Sequence, residues 1–231
     1  MRILPFLILS ILFFAACEKD EENSVSCEEV TPLDSNQMNL NDLRVGQKFR
    51  YLLFLISIPG TPFDFSYTGD TLELEVVEVN GGSYLISEKI TAFSNIMDGD
   101  QDYFSRADSV YHNYWSIEDS TLTISHPSGW IKSHFVFRSQ FSLEEFQGEE
   151  VEMVGWKTSH IYNSGVFDVE LFTTNYSAFG NTYDRLNIYI NDSPMAYDAN
   201  GNTTVYSMEY GFVRTTTYNF ESSEGHGWHK L

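Results

Sequence analysis

Three acidic residues stand at alternate positions in Asp98-Gly99-Asp100-Gln101-Asp102. This is the spacing with which a calcium loop wraps hard oxygen ligands around one cation. Gly99 is out of register for such a loop, and the twelfth position from Asp98 is Ser109, so the closing bidentate acid is missing. Calcium at Asp98, Asp100 and Asp102 therefore stays open beside the expectation of no cofactor. Asp198, Asn200 and Asn202 repeat the spacing with less charge and read as a turn. His226 and His229 lie three apart near the end of the chain, and His126 and His134 flank Pro127-Ser128-Gly129-Trp130. A zinc site recruits three or four ligands from a rigid scaffold, so both pairs read as ordinary strand, turn or tail histidines.

Aromatic side chains make up 16% of the 231 residues, with 18 Phe, 14 Tyr and 4 Trp. Such rings stack on sugars or line apolar cavities, although strands use them equally for packing. Two clusters are candidate ligand-binding surfaces. Phe63, Phe65 and Tyr67 would fall on one side of a strand, while Tyr111, Tyr114 and Trp115 would spread over both faces. No nucleophile elbow, Walker loop, dinucleotide fingerprint or HExxH motif occurs, so no catalytic residue is assigned. With 33 acidic residues, a pair of carboxylates facing each other across a cleft stays open as the basis of a hydrolase.

The elements that must position these groups are strands. From Leu40 to Leu231 apolar residues recur with period two, punctuated by Gly, Asn and Asp. Leu72, Leu74 and Val76 alternate with Glu73 and Glu75, and the Val76-Val77 pair breaks the alternation as a bulge would. Asn80-Gly81-Gly82 predicts a tight hairpin into Tyr84, Ile86 and Ile90. Further strands are expected around Leu122 and Ile124; Ile131, Phe135 and Phe137; Phe167, Val169 and Leu171; and Leu186, Ile188 and Ile190. The last are Tyr206, Met208 and Tyr210, then Phe212 to Phe220 beyond Gly211. About ten strands suit a single antiparallel barrel, half-barrel or sandwich. One short helical turn is expected at Ser142-Leu143-Glu144-Glu145-Phe146, where Ser142 and Glu145 have capping-box spacing. Residues 93 to 105 read as the longest loop.

Ahead of this domain, residues 39–231, the chain reads as a leader and a tether. Residues 1–16, MRILPFLILSILFFAA, are too short for a membrane span and end in small residues, as a signal peptide does. Phe14-Ala15-Ala16-Cys17 resembles the lipobox of bacterial lipoproteins, although Phe14 departs from its common leucine. This implies that Cys17 is acylated, by palmitate or a similar chain, and begins the mature protein. Residues 17–38 form an acidic tether whose start, Glu18-Lys19-Asp20-Glu21-Glu22, resembles the surface-export signal of Bacteroidota lipoproteins. Cys27 is then left over, and a disulfide-linked dimer through it is an alternative to a monomer. A formal charge of -20 excludes nucleic acid and anionic membrane surfaces as partners. Asp70-Thr71-Leu72, Asp108-Ser109-Val110 and Asp119-Ser120-Thr121 resemble O-glycan acceptors of exported Bacteroidota proteins, or are turn chemistry.

Leu43 to Tyr51 (LRVGQKFRY) and Tyr206 to Arg214 (YSMEYGFVR) resemble the first and penultimate strands of uncharacterised Bacteroidota surface lipoproteins, some of them lipocalin-like. The resemblance covers both ends of the body, favours a barrel or half-barrel, and carries no site residues. The resulting expectation is a non-enzymatic lipoprotein on the surface of a bacterial outer membrane, anchored through Cys17. It would bind a small apolar or glycan ligand or an envelope protein. The alternatives are a secreted envelope hydrolase with paired carboxylates, with calcium assisting, and a structural subunit of an outer-membrane complex.

Overall fold

The structure is a computed structural model that describes residues 38–57, 61–91, 110–159, 168–191, 200–219 and 224–231. Cys17, Cys27 and the Asp98, Asp100 and Asp102 triplet lie outside the described residues, as does the whole of the expected 93–105 loop. The described residues belong to one compact unit, Asp34–Leu231.

Among them are fourteen strands: β1 (Lys48–Ile56), β2 (Phe65–Asn80), β3 (Ser83–Thr91), β4 (Tyr111–Glu118), β5 (Thr121–Ser125), β6 (Gln140–Ser142), β7 (Glu149–Glu150), β8 (Met153–Val154), β9 (Lys157–Thr158), β10 (Asp168–Ala178), β11 (Asn181–Asn191), β12 (Asn200–Ser207), β13 (Gly211–Asn219) and β14 (Glu224–Lys230). Ten have five residues or more, which matches the sequence expectation, and the other four are short additions. The fold is all-β. Twelve strands form one sheet in the order β6-β5-β4-β3-β2-β1-β14-β13-β12-β11-β10-β7, antiparallel except at β7 and β10, and β8 pairs with β9 as a separate hairpin.

Local chemistry sets the pairing. Asn80 pairs with Ser83 around Gly81 and Gly82, whose φ values of +56° and +90° are those a type I′ hairpin turn requires. Val77 is the extra residue between the Val76↔Ile86 and Glu78↔Leu85 pairs, the bulge that the sequence predicts. Asp119 and Ser120 turn β4 into β5 with φ of 46° and 57°. Their glycan-like motif thus coincides with hairpin geometry, while the Thr71 hydroxyl is engaged by Thr91.

The sheet curls. Ser142 ends β6 at one end of the strand order and Glu149 opens β7 at the other, seven residues later. That length of chain spans at most about 25 Å, whereas twelve flat strands spaced about 4.8 Å apart would hold their ends about 50 Å from each other. Phe141 of β6 accordingly lies 5.3 Å from the ring of Tyr206 on β12 and 5.0 Å from that of Phe212 on β13. The inner face is filled by Tyr51, Trp115, Phe135, Phe141, Phe212 and Trp228, all buried.

Three expectations are corrected. Ile131, Phe135 and Phe137 do not form a strand; residues 131–137 run as irregular chain, with His134, Phe135 and Val136 buried in the inner core. Phe135 packs 4.6 Å from Tyr51, and the His134 carbonyl accepts a 2.8 Å bond from the Trp228 indole. The backbone groups that a strand would have paired are met by side chains. Glu88, fully buried on β3, accepts from the Ser133 hydroxyl at 2.8 Å, the His134 amide at 3.0 Å and Asn113 Nδ2 at 2.7 Å. The helical turn at Ser142–Phe146 is absent, because Ser142 ends β6 and Asn187 takes over the following backbone. The Asn187 side chain accepts from the Phe146 amide at 3.0 Å and donates to the Glu144 carbonyl at 2.7 Å, in place of a helical ladder. Met208 and Tyr210 belong to the turn between β12 and β13 rather than to a strand.

Candidate ligand-binding site

Strand order brings distant residues together on the outer face of the sheet. The C-terminal strand β14 lies between β1 and β13, so His229 stands beside Leu52 on one side and directly opposite Arg214 on the other. Arg214 reaches this face through a bulge. Tyr206 pairs with Phe212 while Val205 pairs with Arg214, so the extra residue Val213 turns Arg214 away from the core that Phe212 enters.

On the other flank, β2 carries two more residues than β1 between the Leu52↔Thr71 and Phe54↔Tyr67 pairs, and Gly69, at φ +92°, lies in that excess. Beyond it Phe65 and Tyr67 face Phe54 edge-on, with centroids 5.6 and 6.0 Å away. The tip of the β10–β11 hairpin brings Phe179 to 5.3 Å from Tyr67 and 5.0 Å from His229.

A lid-like hairpin completes the cleft. Gly155 and Trp156 connect β8 to β9, and Trp156 donates to Pro62 and Thr61 carbonyls, each at 3.1 Å. Gly155 has φ +61°, and a Cβ there would fall 2.0 Å from the Pro62 carbonyl oxygen, so no larger residue permits this approach. Arg214 fastens the same turn, donating to the Gly155 carbonyl at 2.8 Å and the Trp156 carbonyl at 3.2 Å. The half-open cleft measures about 280 Å³, the lower end of small-molecule sites.

The polar end of the cleft is a chain of hydrogen-bonded side chains beside a buried arginine. Arg214 is 3% exposed and has no carboxylate partner among the described residues, and burial lowers its pKa. The nearby Tyr176 and Tyr67 hydroxyls are among the influences holding it charged. Tyr176 lies 2.9 Å from His229 Nε2, and Tyr67 lies 2.8 Å from His229 Nδ1. Burial first, and then the Arg214 charge, push the His229 pKa down to about 3, so its ring is neutral and carries one N–H. The neutral ring donates through one nitrogen and accepts through the other, so it links the two tyrosine hydroxyls, one as its acceptor and one as its donor.

The residues singled out by sequence fall in three places. Phe65 and Tyr67 line the cleft, whereas Phe63 sits just outside it at 70% exposure. Trp115 is buried in the inner core against Phe212, and Tyr111 stacks 4.4 Å from His134. Tyr114 lines a separate depression of about 320 Å³ together with Glu78 and Tyr84. His226 and His229 project to opposite faces of β14, as an odd separation on a strand demands, so they share no metal. Among the described residues no group of three or more His, Cys, Asp or Glu could hold a metal ion.

Arg214, His229, Tyr176, Trp156 and Phe179 were not assigned to a ligand site from the sequence. Arg214 offered one signal: it is the only charged residue in the otherwise apolar and threonine-rich run from Gly211 to Phe220. No family model, no curated protein and no solved structure matches this chain.

Proposed function

We propose that this chain is a non-enzymatic lipoprotein of the bacterial outer-membrane surface, anchored through acylated Cys17, that binds a small ring-bearing ligand, apolar or glycan, in the Tyr67–Trp156–His229 cleft. The observation carrying this reading is the cleft itself: aromatic walls from β1, β2 and two hairpin turns converge on a few polar groups. The inner face supports the same choice, because its aromatic residues pack against each other rather than around a void. Among the described residues the cleft lining carries no carboxylate, so a hydrolase built on paired acids finds no support in them. An envelope protein is the second reading, favoured by Trp130 at 82% and Phe63 at 70% exposure.

Two measurements test the proposal. Fractionation of cells producing Cys17→Ser should move the protein from the membrane to the soluble fraction, and an unchanged distribution would remove the lipid anchor. Titration with a panel of sugars and aromatic compounds should quench Trp156 fluorescence for at least one class. Quenching of Trp130 alone, by envelope extract proteins only, would favour the second reading.

A further inference from the structure

The proposed ligand site has an electrostatic character opposite to that of the whole protein. The chain carries 33 acidic and 13 basic residues, yet among the described residues no acidic one lines this cleft, and a buried arginine forms its floor. The guanidinium spends two of its donors on the carbonyls of Gly155 and Trp156, which satisfies hydrogen bonding without neutralising charge. Its Nε–H, also buried, has no acceptor. A second cation, Lys157 Nζ, lies 4.7 Å over the Trp156 ring on the adjoining turn. A buried charge with neutral partners is costly unless something offsets it. The hydrogen-bonded chain Tyr176–His229–Tyr67 runs from beside this arginine, 5.9 Å from the Tyr176 ring, to Tyr67, which lines the cleft and is 40% exposed.

We infer that the cleft selects an anionic ring compound, its carboxylate taking the Tyr67 O–H at the Arg214 end and its ring lying against Phe65, Trp156 and Phe179. This rests on the cleft being the ligand site and adds the charge of what enters it. A neutral sugar or hydrocarbon would fill the apolar walls but leave the Tyr67 donor and the Arg214 field unanswered. The carboxylate belongs either to an acidic sugar or to an aromatic acid, since both present a flat face and a planar oxyanion.

Matched probes separate charge from shape: glucuronate against glucose, and benzoate against benzamide, titrated into the full-length protein in detergent while the Trp156 indole N–H is followed by NMR. The expected result is binding about ten-fold tighter for the anionic member of at least one pair, the size of a charge-assisted hydrogen bond. Which pair discriminates identifies the source. Tyr67→Phe, which removes one oxygen from the cleft wall, should weaken the anionic member about ten-fold more than its neutral partner, so that the preference disappears. This variant is preferred to changes at Arg214, which would also release the Gly155–Trp156 turn. Equal or tighter binding of the neutral members overturns the anionic inference and leaves the cleft as a ring-binding site. If no probe moves the Trp156 signal, both the inference and the reading beneath it are overturned.

Discussion

Glu88→Gln should change how stability depends on pH. Glu88 sits fully buried on the inner face, with no cation among its hydrogen-bond partners, only Asn113, Ser133 and the His134 amide. Burial pushes its pKa from an ordinary 4.5 to about 7, against the lowering effect of those three donors. A folded-state value above the unfolded one means that the folded protein holds an extra proton between pH 4.5 and 7. The stability this confers is complete below about pH 4.5 and is lost as pH rises through about 7. At about 1.4 kcal/mol per pH unit the loss is about 3 kcal/mol. Glutamine keeps the shape but not the ionisation. Urea unfolding of both proteins, followed by tryptophan fluorescence at pH 4.5 and pH 8, should show the variant gaining about 3 kcal/mol on the wild type between the two conditions. Its amide places a donor where an oxygen accepted, which adds a constant offset but no pH dependence. Contributions from other titrating groups cancel in the comparison. A difference between the proteins that stays the same at both pH values would refute the reasoning and mean that Glu88 ionises normally in its place.

Other perturbations follow from the same packing. Lys230 is buried with its ammonium on the Tyr210 carbonyl at 3.0 Å, and burial lowers its pKa to about 7. The unfolded chain binds that proton more readily, so stability rises from about pH 7 to 10.5, and Lys230→Met should stabilise the fold by several kcal/mol at pH 7 but by much less at pH 10, as read by denaturant midpoints. Phe135→Ala should cost about 3–5 kcal/mol in the same assay, since the ring is completely buried against Tyr51 and Phe212 and leaves a cavity that they cannot close. Arg214→Met should speed amide hydrogen exchange selectively in residues 153–158, because two of the bonds fastening that hairpin are lost. Gly227→Ala would place a Cβ 2.2 Å from the Phe54 ring and 2.4 Å from the Thr215 carbonyl oxygen. It should lower stability by about 1–3 kcal/mol and push Phe54 into the cleft, which ligand titration would register as weaker binding.

Alternation and turn chemistry made much of this fold legible in advance. Leu72, Leu74 and Val76 point to the inner core as their spacing implied, Val77 bulges, and Gly81-Gly82 turns the chain. The method works where one face of a strand meets water. It failed for residues 131–137, whose apolar side chains enter the core from irregular backbone, because Glu88 and Ser133 supply the hydrogen bonds that a ladder would otherwise provide. Ser142–Phe146 failed for a related reason: its capping-box spacing is real, but Asn187, over forty residues away, competes for the same backbone.

The cleft was half visible. Phe65 and Tyr67 stood out as a stripe, yet what makes them a site is their meeting with Trp156, Phe179 and His229, and that depends on the last strand lying between β1 and β13. A bulge at Val213 then decides which face Arg214 occupies. Long-range strand order leaves no periodic trace.

The most direct test of the account is a ligand titration on nitrogen-labelled protein, in which the indole N–H signals report separate places. Trp156 lines the cleft, Trp115 and Trp228 lie in the inner core, and Trp130 is on the surface. A ring-bearing ligand should shift Trp156 in a saturable way and leave Trp115 and Trp228 where they were. Saturable shifts at Trp115 or Trp228 with Trp156 unmoved would place the ligand inside the sheet and contradict the account.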